Sequence, residues 1–328
     1  MTAAQISGVV LPRFLLDGYR AELDAAAKDR AELLADDDPA LLDGARPNVE
    51  VAVTGIDEDL LRRLLEGPDL RWVHSVSAGV EHLPLASMAE RGVLLTNSAG
   101  AYATAMAEYA LAAMIMLARN LPGWLDGQRE RRWLDADAFE AHVLRGKRLG
   151  IVGYGAVGRE LAASAKALGM EVWATKRSPL FGSAEPLDRL LPASDLAELL
   201  AGSDFVVLCA SLNTSTQRLI GEAELAAMKS GAVLVNVARG GLVDEDALVR
   251  ALEAGGLRSA MLDVTTEEPL PSESQLWAVP NLFITPHVSG NTPESWRWQV
   301  EFFCKNLGLY LDGSAEAMGN LVDYAAVR

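Results

Sequence analysis

Cysteine is scarce in this chain: two residues, Cys209 and Cys304, in 328. Two cysteines make no disulfide framework, and Cys209 lies in an apolar strand-like run where a thiol reads as a small buried hydrophobe. A reducing compartment fits. Positive charge is also short, with 29 Lys and Arg against 45 Asp and Glu and a formal net charge of −16. A nucleic-acid-binding surface needs a basic face, so no nucleic-acid partner is expected, and any anionic ligand must be held by local positive groups. The first residues lack a basic segment followed by an apolar core and a small-residue cleavage site, so the expected location is the cytoplasm. No membrane partner is expected either. The most membrane-like stretch, 101–118, is interrupted by Thr104, Glu108 and Tyr109 and reads as a buried globular helix. The acidic run Asp36-Asp37-Asp38 reads as a solvated loop, since no further ligands stand near it at a metal-binding spacing. No metal site is expected.

What is present is ordinary for a globular protein: 50% hydrophobic and 23% charged residues, and enough length for two domains with cores of their own. Short β runs at Ile6–Leu11, Val49–Thr54, Leu70–Val76 and Val93–Thr96 alternate with helical patterns at Leu16–Leu34, Asp57–Leu65 and Leu83–Glu90. That alternation predicts a parallel sheet covered by helices. Within it the loop 75–82, Ser-Val-Ser-Ala-Gly-Val-Glu-His, follows a strand directly, where small residues can present backbone N–H groups to an anion. After the helix Thr104–Ala118, the stretch 119–147 is polar yet carries Trp124, Arg129, Arg131, Arg132 and Trp133. Trp and Arg are enriched in interface cores, so this excursion is expected to pack on a second copy of the chain in a homodimer.

The centre of the sequence is Arg148–Gly158, RLGIVGYGAVG, which runs into an apolar-periodic segment ending at Leu168. It reads as strand, G-x-G-x-x-G turn and helix, with Gly153, Gly155, Ala156, Val157 and Gly158 forming the turn that holds a dinucleotide pyrophosphate. Further strands are predicted at Glu171–Thr175, Phe205–Cys209, Val233–Val237, Ala260–Val264 and Leu282–Thr285, with helices between most of them. Together they make a doubly wound six-stranded sheet. The second of these strands ends in Thr175-Lys176-Arg177-Ser178, with no carboxylate for the ribose hydroxyls. A basic pair with a hydroxyl suits a 2′-phosphate, so Lys176, Arg177 and Ser178 predict NADP(H) in preference to NAD(H).

Three successive strands each end in one reactive side chain: Arg239, Glu268 and His287. A guanidinium for a carboxylate, an acid for a carbonyl oxygen and a partner that keeps the acid protonated are the parts needed to reduce a 2-keto acid. The segments that carry them, VNVARGGLVDEDAL at 235–248, LDV at 262–264 with EPLP at 268–271, and PHVSG at 286–290, resemble the signature segments of the D-isomer-specific 2-hydroxyacid dehydrogenases, and of their glyoxylate/hydroxypyruvate reductase branch in particular. The likeness extends over nearly the whole chain, through SAGVE at 77–81 and MAE at 106–108 to the tail.

The resemblance implies an α/β protein of two domains, with a dinucleotide-binding domain (104–287) inserted in a smaller flavodoxin-like substrate domain (1–103 and 288–328). It implies that Arg239 binds the substrate carboxylate and keto oxygen, helped by the backbone N–H groups of Ala78 and Gly79. His287 would exchange a proton with the carbonyl oxygen while hydride moves to or from the nicotinamide, and Glu268 would hydrogen-bond the imidazole. Asp263 is expected near the nicotinamide, with Val237, Ala238, Ser289 and Gly290 along the cofactor, and domain closure would complete the site. Glu81 departs from the Asp more usual in the family, and Ser211 from a common Pro. Two other readings stand beside the reductase of small 2-keto acids: a nucleotide-sensing regulator on the same scaffold, and a dehydrogenase of another small anion such as phosphite.

Overall fold

The computed structural model describes residues 6–43, 48–80, 82–177 and 185–325. The chain falls into two units, Met1–Tyr102 with Asn291–Arg328, and Ala103–Gly290. In the first unit, five parallel strands, β1 (Ile6–Leu11), β2 (Ala31–Ala35), β3 (Val51–Val53), β4 (Trp72–Ser75) and β5 (Leu94–Asn97), lie in the order β2-β1-β3-β4-β5. Successive side chains alternate between two buried faces: Val9, Leu11, Val51, Val53 and Trp72 on one, Val10, Ala52 and Val73 on the other. Helices on both faces explain why these strands read as apolar runs. Val300, Phe303 and Leu307 of the helix Pro293–Leu311 cover the first face, where Trp72 stacks on Phe303 with centroids 5.4 Å apart. Leu60 and Leu65 of the helix Glu58–Glu66, capped by the Asp57 carboxylate, cover the second. Each buried aliphatic or aromatic side chain of this kind contributes about 1.5–3 kcal/mol.

One sequence expectation fails here. The helical pattern Leu16–Leu34 is two helices, Arg13–Gly18 and Arg20–Ala27, followed by the strand β2. Lys28 and Asp29 adopt left-handed φ values of 51° and 55°, which stops the second helix. The segment Ala-Glu-Leu-Leu-Ala favours helix by propensity, but parallel pairing with β1 at the sheet edge overrides that preference.

The second unit contains seven parallel strands: β6 (Arg148–Val152), β7 (Glu171–Lys176), β8 (Arg189–Pro192), β9 (Phe205–Leu208), β10 (Ala232–Asn236), β11 (Leu257–Leu262) and β12 (Leu282–Ile284). Their order is β12-β11-β10-β9-β6-β7-β8. The expected six-stranded sheet is thus corrected to seven. The missed strand, β8, has only four residues and ends in a proline, which an edge strand tolerates because its outer N–H has no ladder partner. Leu149, Ile151, Phe205, Val207, Val233 and Val235 face one core, and Val152, Val206, Leu208 and Leu234 the other. From β6 the chain winds one way to β8 and from β9 the other way to β12, so a crevice opens beyond the carboxyl ends of β6 and β9. Among the described residues no helix is long and apolar enough to cross a membrane.

Candidate active site

The turn after β6 leads into the helix Ala156–Ala167. Gly153 has φ of 98°, and a Cβ there would stand 2.5 Å from the backbone nitrogen of Ala210. A Cβ on Gly158 would stand 2.8 Å from the Gly153 carbonyl oxygen. Gly155 is different, because a Cβ there would meet nothing within 4 Å. The space over Gly155 and Ala156 is open, and the first-turn N–H groups of the helix, Val157 included, face that end without intrahelical acceptors. Bare backbone, orphan donors and the positive end of a 12-residue helix suit the phosphates of a dinucleotide.

Beside this turn β7 ends at Lys176, with Arg177 exposed just beyond it, and Ser178 lies outside the described residues. The Thr175 carbonyl accepts from Tyr154 N at 2.9 Å, tying the strand end to the turn. A carboxylate that the local sequence does not announce also reaches this corner. Glu185 accepts from the Tyr154 hydroxyl at 2.8 Å and pairs with Arg159, whose guanidinium lies over the Tyr154 ring. Arg159 first, then Tyr154, hold the Glu185 carboxyl below the usual range, and the Lys176 charge adds to this.

Arg239, Glu268 and His287 follow three neighbouring strands of this sheet. Arg239 follows β10, on a turn shaped by the buried Asn236: its side-chain Nδ2 donates to Arg239 O at 2.9 Å and its Oδ1 accepts from Ala238 N at 3.0 Å. Val237 and Ala238 are buried, and Arg239 Nη1 donates to the Ala238 carbonyl at 2.8 Å. The next residue, Gly240, touches the turn after β11 so closely that a Cβ would stand 1.9 Å from the carbonyl carbon of Thr265. From that turn Glu268 extends two bonds. Its Oε1 accepts from Thr265 N at 3.1 Å, and its Oε2 lies 2.8 Å from His287 Nδ1. Both side chains are partly open, 38% for Glu268 and 48% for His287. Among the described residues His287 Nε2 has no partner, so this nitrogen is the one available to a substrate.

His287 itself has φ of 55°, a left-handed conformation rare for a residue with a side chain. The buried Asp263 organises the loop around it. Asp263 Oδ1 accepts from Thr285 Oγ1 at 2.7 Å and from Val288 N at 2.9 Å, its Oδ2 accepts from Ser289 N at 2.8 Å, and its carbonyl accepts from His287 N at 2.7 Å. Gly290 ends that loop. Sequence alone gives Asp263 a role but none to Asn236, Thr265 or Thr285; the first and second bond residues two or three positions away, whereas Thr285 meets Asp263 across 22 residues.

Ala78 and Gly79 belong to the other unit, on the loop after β4. Every carbonyl from Ser75 to Ala78 is taken: Ser98 Oγ donates to Ser75 O, Tyr102 Oη to Val76 O, Ser98 N to Ser77 O and Asn97 Nδ2 to Ala78 O. Among the described residues the N–H groups of Ala78 and Gly79 have no acceptor. Behind the loop His74 is buried, with Nδ1 2.8 Å from Thr96 Oγ1 and Nε2 3.3 Å from Ser98 Oγ. Ser98 Oγ spends its proton on Ser75 O and so accepts from His74 Nε2–H, which leaves Nδ1 of the neutral ring to accept the Thr96 hydroxyl proton while Thr96 Oγ1 accepts from Trp72 Nε1. Burial lowers the His74 pKa to about 3. Glu81 lies outside the described residues.

Residues 111–289 match the sequence model of the D-isomer specific 2-hydroxyacid dehydrogenase family, NAD binding domain. Over 299 residues, 88% of this chain and 94% of the relative, the sequence is 34% identical to an (S)-sulfolactate dehydrogenase of Chromohalobacter salexigens. It is 33% identical to a glyoxylate reductase of Thermococcus litoralis, over 84% of each chain. A solved D-isomer specific 2-hydroxyacid dehydrogenase from Xanthobacter autotrophicus Py2, in complex with NADPH and MES, superposes with a TM-score of 0.81 at 27% identity, covering 99% of this chain and 100% of that one. With its two parallel-sheet units and a dinucleotide-binding turn at the switch point, the chain belongs to the D-isomer specific 2-hydroxyacid dehydrogenase family and is an oxidoreductase that works with a nicotinamide dinucleotide.

Proposed function

We propose that the chain reduces small 2-keto acids of the glyoxylate and hydroxypyruvate type to D-2-hydroxy acids, with NADP(H) preferred over NAD(H). The observation that carries this reading is the Glu268–His287 pair at 2.8 Å, with Nε2 open, beside the strand end that bears Arg239. The nicotinamide supplies the hydride when bound. Arg239 pairs with the substrate carboxylate, and the N–H groups of Ala78 and Gly79, which have no acceptor among the described residues, suit an anion. His287 gives its Nε2 proton to the keto oxygen and takes it back in the reverse direction, while Glu268 holds Nδ1 and so fixes the ring's orientation. Val237, Ala238, Asp263, Ser289 and Gly290 line or brace the cofactor side, and Lys176, Arg177 and Ser178 receive the 2′-phosphate. The NADPH-bound relative supports that preference; Glu185, an anion near Lys176, is the feature against it.

The exposed apolar residues Leu121, Leu125 and Trp133 on the 119–147 excursion support a homodimer. Cytoplasmic work fits two free cysteines whose thiols burial pushes up, Cys209 to about 12 and Cys304 to about 11. A second reading, reduction of a keto acid that carries a further anionic group, is favoured by the sulfolactate dehydrogenase relative.

The test is nicotinamide absorbance with glyoxylate, hydroxypyruvate, pyruvate, phenylpyruvate and, in the oxidative direction, sulfolactate, each with both cofactors. Turnover of the small keto acids with kcat/KM for NADPH at least about tenfold above NADH is expected, a ratio that corresponds to about 1.4 kcal/mol. Equal use of the two cofactors sinks the preference, and no turnover of any 2-keto acid sinks the reductase.

A further inference from the structure

We infer that Tyr109, on the helix Ala103–Ala118, is a positioning residue for the His287 imidazole, acting through Thr285 and Asp263. The inference rests on the reading of His287 as proton donor. Tyr109 Oη lies 2.5 Å from Thr285 Oγ1, which lies 2.7 Å from Asp263 Oδ1. The direction of this chain is forced. A carboxylate oxygen only accepts, so the single Thr285 hydroxyl proton goes to Asp263, and the Thr285 oxygen is left to accept from Tyr109. Burial holds the Tyr109 hydroxyl above the usual phenol range, with the Asp263 charge adding to it, so the donor keeps its proton.

Asp263 is 1% exposed, and among the described residues no Lys, Arg or His pairs with it. Its charge is balanced by neutral donors alone: Thr285 Oγ1, Val288 N and Ser289 N. A buried carboxylate depends on each such donor. Val288 follows His287 directly, Thr285 and Ser289 stand two residues to either side, and His287 N adds a bond to the Asp263 carbonyl. This knot keeps a side-chain-bearing residue at φ of 55°, a conformation the loop would leave if released. The aim of Nε2 therefore depends on a hydroxyl far away in the sequence, which donates to the Thr285 oxygen and holds that side chain within reach of Asp263. Without Tyr109 the Thr285 oxygen loses its donor, and the loop loses the bond that ties its first residue to the helix Ala103–Ala118.

The experiment compares Tyr109→Phe, Thr285→Val, Thr285→Ser and His287→Asn with the parent enzyme for kcat, keto-acid KM, NADPH Kd by fluorescence, Tm, and the His287 ring-proton signal in 15N-edited NMR. Tyr109→Phe and Thr285→Val are expected to lower kcat by about ten- to a hundredfold, the range for a misplaced catalytic group, with KM and Kd within about twofold. Thr285→Ser should restore most of kcat, and the His287 signal should shift or broaden in Tyr109→Phe. Parental kcat in Tyr109→Phe overturns the inference. So does a fall in kcat matched by weaker NADPH binding and a lower Tm, which marks Tyr109 as mere helix packing. Should His287→Asn retain turnover, the proton-donor reading itself fails; an inactive His287→Asn beside a fully active Tyr109→Phe removes only the role of Tyr109.

Discussion

Glu268 divides its two oxygens between structure and chemistry, one on Thr265 N and one on His287 Nδ1. Glu268→Gln keeps the shape and removes the charge. Reduction needs the ring held with Nε2 toward the substrate, and the carboxylate beside Nδ1 is what fixes it there. Reductive kcat should fall by about a hundredfold with Tm little changed; a parental kcat would count against the pairing. His74 makes the opposite case, an imidazole that the fold keeps neutral. Its folded pKa of about 3 lies below the ordinary imidazole value of 6.5, so as pH falls below about 6.5 the unfolded chain binds a proton that the folded chain refuses. The stability that depends on neutral His74 is complete above that range and is lost on the way down to about 3, at up to about 1.4 kcal/mol per pH unit. Urea unfolding of the parent and of His74→Gln between pH 7 and pH 5 should show the variant's slope shallower by that amount, and parallel lines would refute it.

Among the elements, two glycines separate folding from binding. At Gly240 a Cβ would collide with the backbone of Thr265 and Thr266, at 1.9 Å and 2.3 Å. Gly240→Ala should cost about 3 kcal/mol or more in urea unfolding, since backbone on both sides must move. Gly155→Ala meets open space, so Tm should stay put while the dinucleotide Kd weakens. A Gly155→Ala protein that binds cofactor normally would show that no pyrophosphate lies there. Elements of this kind were legible in the sequence because glycine turns and apolar strands are local patterns. The family was legible for the same reason, from contiguous segments at 235–248, 262–271 and 286–290. The two edge strands β2 and β8 were not: one has helix-forming composition, the other is short and ends in proline, and both are strands only because a neighbour pairs with them. Nor was the Tyr109–Thr285 bond, which joins residues 176 apart in sequence, nor Glu185 beside Tyr154.

At the scale of the whole molecule, the expected dimer has exposed apolar side chains to use on and beside the 119–147 excursion. Trp133 is fully exposed, and Ile115, Val143 and Leu168 stand open around a cavity of about 320 Å³ whose lining also includes Arg119 and Arg145. Sedimentation equilibrium should give twice the mass of one chain, and Trp133→Glu should shift the balance toward single chains by burying an unpaired charge in the contact. A parent protein that sediments as one chain at micromolar concentration would dispose of the dimer. The division of the chain has a further consequence. The Ala103–Gly290 unit is continuous, whereas the other is completed only by Asn291–Arg328, whose long helix supplies Phe303 and Tyr310 against Trp72. During synthesis the first sheet therefore leaves the ribosome with one apolar face bare and waits for the entire inserted unit to be translated. That interval is when a chaperone would be needed, and a chain stopped before residue 291 should aggregate through its amino-terminal half while the inserted unit folds.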